Sequence, residues 1–186
     1  NKSAIEDALS LAKSLGSATI TFNDYADGLV NCGSNIQLHR GIKLKGGSPN
    51  AEGAGIDPWD SGLRGDGTGP IFITSPYPST PTPDVPSLIR EITFENMVAG
   101  NTNGHPVAEE FSPSFHVMGG RFETFDSETF KFRFSFRSSV QGGRHRSTWS
   151  TPSNNSYTIT AYDNCNGFVV SPDVVISGGT NGGGVD

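Results

Sequence analysis

The sequence predicts a mostly β, turn-rich protein, and three observations carry that prediction. Charged residues make up only 17% of the 186-residue chain, against about 25% in an ordinary soluble domain, so the residues that line long exposed helices are scarce. Glycine (24) and proline (12) recur along the chain and cut it into short pieces. The 12 Phe, 4 Tyr and 2 Trp supply apolar area to bury, which argues against disorder. The length suits a single domain with a sizeable core.

One helix is legible. Across residues 3–15 the apolar positions Ala4, Ile5, Ala8, Leu9, Leu11, Ala12 and Leu15 follow a 3.6-residue period. Ser3 and Glu6 have the spacing of a capping box, Lys13 suits the negative end of the helix dipole, and Gly16 is placed to end it. The period then drops to two. Residues 18–22 alternate as a strand, and short β-like pieces follow at 28–32, 36–38 and 41–44.

Residues 48–86 read as Gly/Pro-rich loops, interrupted by one apolar strand at 71–74. Residues 87–98 read as a strand with Leu88, Ile89, Ile92, Phe94 and Met97 available for burial. Phe130, Phe132, Phe134 and Phe136 alternate with polar residues over a length that suits an antiparallel, sandwich-like second part. Further β runs are expected at 157–162, 168–170 and 174–176. The division expected is one β-rich domain: 1–47 (helix and first strands), 48–86 (loops), 87–177 (β-rich part) and 178–186 (a flexible tail). No fixed period of 20 to 50 residues stands out, so any repeat must be degenerate.

The first 47 residues resemble the start of the pectate-lyase-like right-handed parallel β-helix family, which includes phage tailspikes. The matching residues are Ala4-Ile5, Ala8-Leu9 and Ala12 of the helix, then Gly16, then Ala18-Thr-Ile-Thr-Phe22. Asn35-Ile-Gln-Leu and Gly41-Ile-Lys-Leu-Lys-Gly46 follow. Ile89-Arg-Glu-Ile-Thr-Phe-Glu-Asn96 is similar to one rung of that family. The resemblance implies a right-handed parallel β-helix start with an N-terminal capping helix, and action on polysaccharide. A helix laid over the first coil would cover edge backbone groups that otherwise recruit other chains.

Charge narrows the partners. With 13 basic residues against 19 acidic ones, the net charge is −6, which disfavours a duplex nucleic-acid partner. The cluster Arg144-His145-Arg146, with Arg137 nearby, reads as a solvated loop. No apolar run is long enough to span a bilayer. Cys32 and Cys165 fit either one long-range disulfide or two buried thiols, and neither has zinc-ligand spacing. There is no phosphate-binding loop, no HExxH and no GxSxG, so no cofactor or metal is predicted.

Since the resemblance implies glycan chemistry, acid pairs and sugar-stacking aromatics are the features to seek. Asp57, Trp59, Asp60, Arg64 and Asp66 fall within ten residues. Two of the three carboxylates could serve as the acid and base of glycoside hydrolysis, with Trp59 stacking and Arg64 binding. The competing reading is turn chemistry, with Trp59 as a core anchor. His105 and Glu109, with His116 nearby, form a weaker acid–base or metal candidate, against a plain helical turn. Trp149, Tyr157 and Tyr162 are candidates for a carbohydrate-binding face, or else ordinary cross-strand aromatics.

The expected function is therefore an extracellular or virion-surface protein that recognises polysaccharide, a tailspike-like glycan-cleaving fragment among the forms this would take. The alternative is a non-enzymatic structural subunit of a capsid, fibre or appendage. A small carbohydrate-binding module is a third option. A homo-oligomer is expected, with a trimer as one form, and the glycan itself is left open.

Overall fold

The computed structural model describes residues 1–22, 29–46, 62–74, 91–110, 114–133, 135, 137–151, 156–162, 165 and 167–177. Helix α1 (Lys2–Ser14) is followed by strands that wind into coils. The first coil is β1 (Ala18–Phe22), β2 (Leu29–Asn31) and β3 (Ile36–Gln37). The second is β4 (Ile42–Gly46), β5 (Gly62–Arg64) and β6 (Phe72–Ile73), and the third is β7 (Ile92–Glu95), β8 (Val98–Asn101) and β9 (Ala108–Glu110). The fourth comprises β10 (Phe115–Met118), β11 (Arg121–Phe125) and β12 (Phe130–Arg133). β13 (Ser139–Gln141), β14 (Arg144–Thr148) and β15 (Ile159–Tyr162) make the fifth, and β16 (Val169–Val170) and β17 (Val175–Ser177) begin a sixth.

Each strand pairs in parallel with the third strand along, which builds three sheets. Sheet A runs β1-β4-β7-β10-β13-β16, sheet B runs β2-β5-β8-β11-β14-β17, and sheet C runs β3-β6-β9-β12-β15. The architecture is a three-sided parallel β-helix. An antiparallel part is not found among the described residues. β12, expected to belong to a sandwich, pairs in parallel with both β9 and β15. Its Phe alternation satisfies a coil equally well, because the side-chain period of two is the same in either kind of sheet.

The coil length is 23 residues where no loop is inserted, as when His116 stacks on Ser139. Corners recur at that spacing. Asn96, Gly119 and Gly142, each at the A-to-B corner, all have positive φ, of 50°, 64° and 60°. Glu91, Ser114 and Arg137 do the same ahead of sheet A, with φ of 61°, 60° and 58°. A left-handed residue at each corner turns the chain sharply between two straight strands.

Inward side chains stack in columns. In sheet A the register aligns Ile20, Leu44, Phe94, Val117, Val140 and Val170. Rings bridge the sheets, Phe72 to Phe94 at 5.2 Å and Phe122 to Phe130 at 4.8 Å, and stack within sheet A, Phe94 to Phe115 at 5.0 Å, all edge-on. Such pairs add about 1 kcal/mol each beyond the area they bury.

Helix α1 lies against β1, β3 and β4, burying Ile5, Leu9 and Ala12 over the first coil. Burying a side chain such as Ile5 or Leu9 is worth roughly 2 kcal/mol. Lys2 ties the helix start down, donating from Nζ to the Ser34 carbonyl at 2.6 Å. The helix begins two residues earlier than the Ser3 cap implies, with Asn1 at the N-cap and no side-chain cap bond, so the Ser3–Glu6 box does not form. Gly16, at φ +82°, ends it as expected. Within the span read as loop, Gly62–Arg64 is a strand, its brevity having hidden it. Cys32 and Cys165 are not disulfide-bonded to each other and lie at opposite ends of the stack. Burial pushes the Cys32 thiol up to about 12.

Candidate functional site

Strand alternation builds one chemically distinctive surface, on the outer face of sheet B. In β11, Phe122 and Thr124 point into the core, so Arg121, Glu123 and Phe125 point out. In β14, His145 and Ser147 are buried, so Arg144 and Arg146 point out and are exposed. Here the expected solvated loop is a strand whose middle residue belongs to the core. The register places Arg121 beside Arg144, and Glu123 beside Arg146. On the far side, Val175 stands beside Arg144 and Ser177 beside Arg146.

These residues line a cleft of about 480 Å³. Arg121 is fastened to Glu123, donating to its Oε1 from Nε at 3.3 Å and from Nη2 at 3.0 Å. Glu123 is thereby largely buried. Among the described residues, neither Arg144 nor Arg146 forms an ion pair. The cleft therefore sets three guanidiniums against one carboxylate, on a chain whose net charge is −6.

One row extends across the sheet. Asn31, Arg64, Gly100, Glu123, Arg146 and Ser177 follow one another from strand to strand. At the ~4.8 Å spacing of neighbouring strands, Arg64 and Ser177 are about 19 Å apart. Beyond Glu123 on the same strand, Phe125 presents an exposed ring. Guanidinium forks, a carboxylate and a partly exposed aromatic ring together can hold hydroxyls, acid groups and the apolar side of a sugar ring. Sheet A differs: its outward Lys43 and Lys45 both engage Glu95, whose carboxyl is held below the usual range chiefly by Lys43.

The sequence candidates fall in several places. Asp57, Trp59 and Asp60 lie outside the described residues. Arg64 is half-buried on β5, in the row just described. Asp66 is exposed; its Oδ1 accepts from the Thr68 N–H at 3.0 Å and the Thr68 hydroxyl at 2.7 Å, and these bonds hold its carboxyl below the usual range. That environment keeps Asp66 ionised. Trp149 follows β14 directly, half-buried, with its indole N–H buried and lacking an acceptor among the described residues. His105 and Glu109 share no hydrogen bond among the described residues. His116 is elsewhere, on sheet A, its Nδ1 2.9 Å from the Ser139 hydroxyl. No group of three metal-ligating side chains occurs among the described residues.

Arg121, Glu123 and Phe125 went unremarked as site residues in the sequence. The available signal was the pair Arg121-Phe-Glu-Thr-Phe125 and Arg144-His-Arg-Ser-Thr148, which alternate in step one coil apart. In comparisons with known proteins, no family model, no curated protein and no solved structure matches the chain. The fold defines its class as a parallel β-helix, and the site has to be read from its own residues.

Proposed function

We propose that this protein recognises polysaccharide along the outer face of sheet B, as an extracellular or virion-surface protein of the pectate-lyase-like or tailspike kind. The observation that carries this reading is the cleft of Arg121, Glu123, Arg144 and Arg146, with the exposed Phe125 ring on the same face. A straight parallel sheet holds these side chains at fixed spacing, so little ordering cost is added on binding an extended chain. Polar forks take up hydroxyl and acid groups while the ring packs on a pyranose face.

A glycan array tests the reading. Wild-type protein should retain at least one polysaccharide, Arg146→Ala and Phe125→Ala should weaken that binding, and Lys43→Ala on sheet A should not. Absence of any retained glycan, or equal binding by all variants, would refute it. Product release from the retained glycan would add cleavage. Loss of that release in Asp57→Asn, Asp60→Asn or Asp66→Asn would assign the acid–base pair.

A second reading, a structural subunit of a fibre, coat or appendage, is favoured by one observation. Leu11 of the lid helix and Leu15 at its C-cap are exposed, 64% and 67% accessible. Light scattering decides it: an oligomer that dissociates in Leu11→Glu/Leu15→Glu supports assembly through the lid, and a monomer at all concentrations contradicts it.

A further inference from the structure

We infer that the ligand of the sheet B cleft is an anionic polysaccharide, one bearing carboxylate or sulfate groups along its chain, and that Arg144 and Arg146 are the side chains that pair with those groups. This inference rests on the polysaccharide reading of the same face.

The division of labour among the three arginines carries it. Arg121 already spends its Nε and Nη2 donors on Glu123, and the side chains of that pair are 18% and 7% exposed. The pair is a satisfied floor to the cleft. Arg144 and Arg146 stand on the neighbouring strand, exposed, and form no ion pair among the described residues. Arg144 faces a third guanidinium, Arg121, across the register, and Val175 on its other side. Arg146 has Glu123 on one side and Ser177 on the other. The carboxylate of Glu123 is shared with Arg121, so the cleft keeps a net positive balance.

Like charges held side by side on adjacent strands repel, at a cost that a bound anion removes. A neutral glycan would leave that repulsion in place. Arg144 and Arg146 are two residues apart on one strand, so their Cα atoms are about 6.6 Å apart, on the same face. That places two forks side by side to engage successive acid groups of an extended polymer. Planar guanidinium pairs bidentately with carboxylate and with tetrahedral oxyanions alike.

The test uses the intact chain with three probes: dextran, dextran sulfate of matched length, and a polyuronate oligosaccharide, each titrated by calorimetry at low and high salt. Binding of dextran sulfate or polyuronate, without dextran, is expected. Affinity should fall as ionic strength rises through the range in which the screening length shrinks below about 10 Å. Arg144→Ala and Arg146→Ala should each cost about tenfold, as expected for loss of one charge-assisted pair, and Arg146→Lys should recover part of the loss. Sulfate alone or carboxylate alone binding identifies the source of the charge, and either supports the inference.

Salt-insensitive binding of dextran, equal in both Arg→Ala variants, would overturn the anionic assignment while leaving polysaccharide recognition standing. Failure to bind these probes or any glycan on the array would overturn both. Circular dichroism of the variants separates lost binding from lost folding.

Discussion

His145 lies flat against Phe122, with ring centroids 5.1 Å apart and planes inclined by 26°. Register puts the two residues on adjacent strands in one inward column, between Ala99 and Ile176. A titratable ring thus occupies a core position, fully buried, with Nδ1 3.3 Å from the Thr129 hydroxyl and Nε2 lacking a partner among the described residues. Burial drives its pKa down to about 3.

Acid should therefore loosen the helix well above the range in which carboxylates titrate. The unfolded chain binds a proton at His145 near 6.5 and the folded chain only near 3, so stability falls as pH drops through 6.5. Each pH unit in that window removes up to about 1.4 kcal/mol from this group. Burial also lowers the pKa of His39 and His116, which adds in the same direction. Asp66 and Glu95, held below their ordinary values, lose their contribution only at lower pH. Urea midpoints at pH 7.5 and 5.0 should differ clearly in wild-type protein and much less in His145→Leu. An equal drop in both would place the acid sensitivity elsewhere.

The A-to-B corners make a second prediction. Asn96 holds the position that Gly119 and Gly142 hold in the next two coils, all with positive φ. Asn96→Gly should be neutral or stabilising by up to about 1 kcal/mol, since the left-handed penalty disappears. Gly143→Ala should destabilise by more than 1 kcal/mol, because a methyl there meets the Gly119 backbone at 2.8 Å. Denaturant melts of the two variants should move in opposite directions or differ by that margin.

Helix α1 should act against self-association as much as for stability. Leu9 is 1% exposed between the helix and the first coil. Leu9→Asp should free the lid, uncover the edges of β1 and β3, and produce concentration-dependent aggregation measurable by light scattering. A monomeric, fully folded Leu9→Asp protein would show that the edge is protected by something other than the helix.

The lid, the first coil and the opening strand of the second were readable because local signals agreed. Ile5, Leu9 and Ala12 follow the helical period, Gly16 stops it, and β1 and β4 alternate cleanly. The repeat was not readable. Its recurring feature is geometric: a left-handed residue at matching corners of the third to fifth coils, occupied by Asn at 96 and Gly at 119 and 142, or by Glu, Ser and Arg at 91, 114 and 137. Loops of different length also separate the coils. In register terms Lys43 pairs with Thr93, whereas Thr93 pairs with His116 only 23 residues on, which hides the period from any fixed-spacing scan.

The site was legible only in part for a related reason. Arg144-His145-Arg146 has the composition of a surface loop, and only the stacking of β14 on β11 shows that its middle residue is core. Arg64 was singled out on the sequence as part of an acidic loop cluster. It stands instead in an outward row that crosses the sheet toward Arg146.

The most direct measurement of where this protein meets its ligand is hydrogen exchange with and without dextran sulfate or polyuronate. Slowed exchange in Arg121–Phe125, Arg144–Thr148 and Val175–Ser177, with Ile42–Gly46 and Phe115–Met118 unchanged, is the predicted result. Slowing confined to the sheet A strands, with β11 and β14 unaltered, would contradict a glycan-binding face on sheet B.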